Sequence, residues 1–321
     1  MKPFEFIDLH IALPPRAETA EQLSVVIQRD VQWIEQNAGV SRRYVSNLGD
    51  DPTILAAAAA RPLVERHGSP DLLIYASASI RQCLPDSSVF VSRALGLSGV
   101  PSFSVNATCL SFLVALQQGA ALIAAGDYQK ILIVSAELPS LSRNFEEAES
   151  AALFGDGGAA TLIAPTKRIA GMEHFQMTTW PEFADLTQVR GGGLLNHPEL
   201  SSTTVADYRF AMDGKQLLRA ALPRLRKFLK EFFLQSGVDP NSIALLVPHQ
   251  PSQAGMQVYQ HLGFPADRTI NILKDYGNCV SASIPMALTI AHQQQRLHHG
   301  DRVLLLGTAA GLSVGAAILK W

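Results

Sequence analysis

Hydrophobic positions along the chain fall into two kinds of run. Short apolar, β-rich segments at 72–75, 102–105, 131–135, 160–163, 243–247 and 303–306 read as buried strands. Longer stretches at 110–125, 215–233, 252–261 and 284–297 read as helices. Strands alternating with helices predict crossover units and a mostly parallel sheet covered on both faces. The predicted class is α/β.

The pattern repeats coarsely. Residues 130–164 hold a strand, a linker and then FGDGGAATLIA; residues 301–319 hold a strand and then GTAAGLSVGAAIL. Each ends with a glycine-rich turn entering an apolar strand, the mark of a duplication. The segment between them differs, with Pro181, Gly191, Gly192, Gly193, Pro198 and the run SSTT at 201–204. The expected division is a first half over 1–165, a loop-rich connection over 166–206, and a second half over 207–321.

Composition sharpens this picture. The chain has 321 residues, 47% hydrophobic and 17% charged, so it has material for a dense interior and for surface lost to a partner subunit. Lys plus Arg is 26 against 28 for Asp plus Glu, which offers no basic excess for nucleic acid. Cys83, Cys109 and Cys279 are too few for a disulfide framework, and the default expectation is a reducing cytoplasm. Glu5, Asp8 and His10 interrupt what a secretory apolar core would need. The longest apolar segment, 109–125, is broken by Gln117 and Gln118, so no membrane span is expected.

Three residues stand where chemistry collects. Cys109 follows the 102–105 strand and opens a helix, where free N–H groups and the helix dipole favour negative charge. A thiol so placed is expected to have a pKa lowered to between about 3.5 and 7.5. Cys83 and Cys279 lack that placement and read as small buried packing residues. His249, in VPHQ, directly follows an apolar strand, an edge where α/β proteins place functional groups. Asn278, in YGNC, lies in a turn and offers a neutral amide donor for a developing oxyanion. The glycine-rich segments lack GxGxxG order and a GK[ST] ending, and each enters a strand; a phosphate loop enters a helix. Close backbone approach is their expected role, with N–H groups of 309–311 pointing into a site.

Together NATCLSF, FGDGGAA, VPHQ, YGNCVSASIP and GTAAGLSVGAAIL, with Trp33-Ile34 and MDGKQLLRAAL at 212–222, resemble the β-ketoacyl synthase III family from about residue 30 onward. The resemblance implies a thiolase-like five-layered αβαβα sandwich of two similar halves, usually a homodimer, or a heteromer with another synthase-like chain. It implies Cys109, His249 and Asn278 as the catalytic set and backbone N–H groups of Cys109 and Gly311 as an oxyanion hole. An acyl group would load onto Cys109 from acyl-CoA or acyl carrier protein, then condense with a malonyl thioester as CO₂ leaves. Neither metal nor cofactor is implied. Trp33 and Arg219 stand at substrate- and carrier-binding positions. The acyl tunnel is expected to draw its walls from several loops, 80–90 and 166–206 among them.

The chain departs from the family pattern at three points. Asn37 and Ala254 stand where the family has arginines, and Ala309-Ala310-Gly311 replaces a glycine triplet. These changes point to a specialised synthase. The cations Lys215, Arg219, Arg224, Arg226, Lys227 and Lys230 offer a docking face for an acidic carrier, or simply a solvated helix face. The alternative chemistry passes the acyl group from Cys109 to a hydroxyl, an amine or water without forming a C–C bond.

Overall fold

The apolar runs fold into two five-stranded sheets built on one plan. The computed structural model describes Met1–Trp321. In chain order the strands are β1 (Lys2–Pro3), β2 (Glu5–Ala12), β3 (Ala17–Thr19), β4 (Arg42–Tyr44), β5 (Leu72–Ala76), β6 (Ser102–Val105), β7 (Ile131–Glu137), β8 (Gly157–Ala164), β9 (Gly171–Thr179), β10 (Thr187–Gln188), β11 (Ala211–Met212), β12 (Ile243–Pro248), β13 (Arg302–Ala309) and β14 (Ser313–Lys320). The helices are α1 (Ala20–Ile27), α2 (Val31–Asn37), α3 (Pro52–His67), α4 (Ser87–Leu95), α5 (Ser111–Ala125), α6 (Ala148–Leu153), α7 (Gly214–Ser236), α8 (Gln253–His261), α9 (Leu273–Tyr276) and α10 (Ser283–Gln293).

The first sheet runs β2-β8-β7-β5-β6 and the second β1-β9-β14-β13-β12. Four strands of each correspond. β2-β8 and β8-β7 are antiparallel and β7-β5 parallel; β9-β14 and β14-β13 are antiparallel and β13-β12 parallel. The repeat seen in the sequence is therefore the β7–β8 pair echoed by β13–β14. The sheets are mixed, not mostly parallel as the pattern suggested. Helices cover both faces, so even the antiparallel β8 and β14 are almost wholly buried and carry the unbroken apolar runs of parallel strands.

A second correction falls on 166–206. That segment contains β9, which pairs with β14 inside the second sheet, so it is more than a connection. β9 is only half-buried over most of its length and reads MEHFQMTT, with no apolar run to betray it. The 284–297 helix also ends early, at Gln293.

Five layers result. α5 and α10 lie between the sheets, where Phe112, Leu116, Ile284 and Leu288 share one buried cluster with β5, β7, β12 and β13. α3 and α4 cover the outer face of the first sheet through Leu63 and Val91. The outer face of the second sheet is covered by α1, α2, α7 and α8 through Leu23, Ile34, Phe228 and Met256. The window Thr108–Ala125 averages 1.6 in hydropathy, which by length and composition suits a membrane span, contrary to expectation. In the fold, Phe112, Leu113, Ala115, Leu116 and Ala120 of that window are core residues.

Candidate active site

Cys109 sits on a sharp turn between β6 and α5. Thr108 adopts φ +50, a left-handed conformation costly for a β-branched residue, on the order of 1–3 kcal/mol. The turn is held locally. Asn106 Oδ1 accepts the Thr108 N–H at 3.0 Å, and Ser111 Oγ accepts the Ala107 N–H at 3.0 Å while donating to the Thr108 carbonyl at 2.6 Å.

The thiol is not the acidic one expected from a helix N-terminus. Burial, and after it the charge of Glu137, pushes Cys109 up to about 12. Hydrogen bonds from the N–H groups of Ala310 and Cys109 work in the opposite direction. Desolvation outweighs the helix terminus, so the resting group is a neutral thiol. The donor that reaches the sulfur from the β13–β14 turn is Ala310. Gly311, expected from the resemblance to complete an oxyanion hole, is the next residue and carries the turn at φ +83.

His249 follows β12, its N–H donating to the Leu306 carbonyl at 2.8 Å. Burial lowers its pKa to about 4, opposed by a hydrogen bond to the Val280 backbone, and Nδ1 has no partner. The imidazole is neutral at physiological pH. Tyr259, fully buried on α8, donates its hydroxyl to the His249 carbonyl at 3.4 Å.

Asn278 is fixed through its backbone by the first half of the chain. Its N–H donates to the Leu153 carbonyl at 3.0 Å, and its carbonyl accepts the Gly155 N–H at 3.2 Å. Its side chain donates from Nδ2 to the Pro251 carbonyl at 3.2 Å and accepts the Val280 N–H on Oδ1 at 2.8 Å. Val280 thus touches both Asn278 and His249.

The glycines do what close approach demands. A Cβ on Gly155 would stand 2.0 Å from the Tyr276 carbonyl oxygen, so no side chain fits where FGDGG meets YGN. A Cβ on Gly307 would meet Leu110 Cδ2 at 2.9 Å and His249 Cβ at 3.1 Å, so β13 passes tightly between the residue after Cys109 and the histidine. Gly307 thus packs against both Leu110, the residue after Cys109, and His249, and Val280 joins His249 to Asn278.

A cavity of about 580 Å³ is walled by α7 and α8 and reaches Pro251, Tyr259 and Thr308; Cys109, His249 and Asn278 are not among its lining residues. Asn37, Ala254 and Lys215 line it, as do Glu149 and Asp213. Segments 80–90 and 166–206 do not. Trp33 lies outside the lining, half-buried with the Arg29 guanidinium 5.4 Å from its ring centre. Arg219 is exposed on α7, also outside the wall. Arg226, Lys227 and Lys230 face solvent on the same helix, while Arg224 pairs with Glu182 at 3.5 Å. Cys279 is buried as expected, but Cys83 is exposed.

Sequence reading missed two groups. Glu137 closes the apolar run of β7 and is buried, accepting from the N–H groups of Ala78 at 2.7 Å and Ser79 at 2.9 Å and from the hydroxyls of Ser79 and Ser281. A carboxylate ending the run ILIVSAE was its only signal. Tyr259 gave none beyond an apolar helix face.

Two halves of one plan, with a thiol where they meet, are the build of thiolase-like condensing enzymes, which form their products through an acyl-cysteine. Residues 103–180 match the family 3-Oxoacyl-[acyl-carrier-protein (ACP)] synthase III, and residues 233–321 match its C-terminal region. Beta-ketoacyl-[acyl-carrier-protein] synthase III 3 of Streptomyces coelicolor is 30% identical over 317 residues, 96% of this chain and 94% of that one. The beta-ketoacyl-[acyl-carrier-protein] synthase III of Clostridium perfringens is 29% identical across the full length of both chains. The solved structure of the Thermus thermophilus beta-ketoacyl-[acyl-carrier-protein] synthase III superposes with a TM-score of 0.88 at 29% identity, covering 98% of each chain. The chain belongs to the β-ketoacyl-[acyl-carrier-protein] synthase III family, as a transferase of fatty-acid or specialised-metabolite biosynthesis.

Proposed function

We propose that Cys109 is the nucleophile, and that His249 and Asn278 serve the decarboxylative step. The observation that carries this reading is a chain of close contacts: Gly307 packs against both Leu110, the residue after Cys109, and the neutral His249, and Val280 joins His249 to Asn278. A thiol with a pKa near 12 must lose its proton as it attacks. Neutral His249 is the base available. The Cys109 S–C bond forms, the donor's C–S bond breaks, and the proton leaves with the departing thiol. The Cys109 and Gly311 N–H groups form the oxyanion hole for the oxygen that gains charge, while the Ala310 N–H donates to the sulfur.

The extender is a malonyl-type thioester. As its carboxylate leaves as CO₂, the bonding electrons form an enolate whose oxygen accepts from His249 and Asn278. The carbanion attacks the acyl carbonyl and the S–C bond to Cys109 breaks. The sulfur regains a proton, and a β-ketoacyl thioester is released. These steps need acyl and malonyl thioesters and draw on no metal or redox group.

The acyl donor is acyl-CoA or an acyl carrier protein, with the exposed cations of α7 available to an acidic carrier. A homodimer is supported by β6, an edge strand with only β5 beside it, and by exposed Phe103, Ile80, Leu84 and Val89 nearby. Three unpaired cysteines suit a reducing cytoplasm. The test is intact-protein mass after incubation with a panel of acyl-CoAs and acyl carrier proteins, followed by a malonyl donor. Acyl mass on Cys109 that is discharged only by the malonyl donor supports the reading; discharge without it points to transfer or hydrolysis.

A further inference from the structure

Buried beneath FGDGG lies a charge cluster that touches none of the three site residues. Arg43, on β4, is 1% exposed. Its Nε donates to Glu18 Oε2 at 2.9 Å, and its Nη1 donates to the Ala152 carbonyl at the end of α6. Arg143 donates to the same Glu18 oxygen at 2.6 Å and to the Ser140 carbonyl at 3.1 Å. Asp156, fully buried, accepts the N–H groups of Ser46 at 2.7 Å and Ser140 at 2.8 Å. Its own N–H donates to the Tyr44 carbonyl at 2.8 Å.

The cluster grips both ends of a single short segment. Ala152 is held by Arg43 and Asp156 by β4; between them stand Leu153 and Gly155, the two residues bonded to the Asn278 backbone. The other side is tied as well, since the Ser41 N–H donates to the Lys274 carbonyl at 2.9 Å. A Cβ on Gly155 would meet Arg43 Cβ at 3.0 Å, so the arginine stem also packs under the segment.

We propose that Arg43 is a positioning residue for Asn278, acting through Ala152 and the 153–155 segment, and that it governs the decarboxylative half-reaction without touching substrate. Burial draws the guanidinium down to about 10 even beside Glu18, so the cluster is held against a real desolvation cost. Cys109 hangs on a separate turn whose hydrogen bonds, from Asn106 and Ser111, are independent of β4. The proposal rests on Asn278 serving the enolate.

The test separates the two half-reactions in Arg43→Met, Arg43→Lys and Glu18→Gln. Acyl loading of Cys109 is followed by intact mass, and malonyl decarboxylation by CO₂ release. Misplacement of a site group by about 1 Å costs roughly 100-fold. Arg43→Met is therefore expected to lower the kcat of decarboxylation about 10- to 100-fold, with loading within about threefold of wild type. Arg43→Lys should recover part of the loss. Equal loss of both half-reactions, or no loss in any folded variant, overturns the proposal; Arg43→Lys and Glu18→Gln carry it should Arg43→Met not fold. Asn278→Ala runs alongside. Decarboxylation retained there removes the assigned role of Asn278 itself, whereas loss there with retention in the Arg43 variants removes only the clamp.

Discussion

The same pair of strands is joined differently in the two halves. β7 reaches β8 through residues 138–156, which include α6 and the glycine-rich loop; β13 reaches β14 through Ala310, Gly311 and Leu312. The long connection belongs to the first half, yet its Leu153 and Gly155 hold Asn278 of the second. The short turn belongs to the second half, yet its Ala310 N–H reaches Cys109 of the first. Each half completes the other's chemistry. The duplicated strands supply a frame, and the loops that break the symmetry supply the reaction.

That exchange can be broken from either side. The largest effect is expected from Cys109→Ala, which should abolish acyl mass on the protein yet leave malonyl decarboxylation measurable. Equal loss of both, with folding intact, would contradict the division of labour. Next, Asn278→Ala should still load acyl groups but condense on the order of 100- to 1,000-fold more slowly, the usual loss for an oxyanion donor, whereas His249→Ala should slow loading as well as condensation. Single-turnover kinetics reads the two stages apart.

Two glycines sharpen the contrast in stability. Gly155→Ala puts a Cβ 2.0 Å from the Tyr276 carbonyl oxygen and should cost on the order of 3 kcal/mol in denaturant unfolding. Gly311→Ala meets open space, and only its φ of +83 opposes it, at about 1–2 kcal/mol. If the two cost the same, the seam between the halves is softer than its geometry.

The smallest effect concerns pH. With a pKa near 4, His249 is already neutral, so the decarboxylation kcat should stay flat from about pH 6 to 9. Stability behaves otherwise. The unfolded histidine takes a proton near its ordinary 6.5 while the folded one resists until about 4, so the stabilisation is whole above 6.5 and is lost as pH falls between those values. Thermal unfolding from pH 7 to 5 should show a shallower fall in His249→Asn than in wild type.

Much of this arrangement was legible in residue order. The interior strands announced themselves because burial on both faces leaves unbroken apolar runs. Cys109, His249 and Asn278 stood out because each ends or begins an element. β2 and β9 were invisible because their half-buried faces mix His, Glu and Gln with apolar residues. The pKa of Cys109 was misjudged for a related reason. A helix terminus can be read from local sequence, but desolvation depends on what the rest of the chain packs over the sulfur.

The strands that escaped notice carry one further consequence, for synthesis. β2 finds its partner only in β8, about 150 residues later in the chain, and β1 only in β9, about 170 residues later. At roughly 5–20 residues per second on a ribosome, that is a wait on the order of 10–30 s. Through that interval Glu5, Asp8 and His10 punctuate an otherwise sticky segment, FEFIDLHIA, and charges so placed discourage premature pairing with a neighbouring nascent chain. The polar residues that disguise β2 as a loop are the ones that keep it single until its sheet arrives.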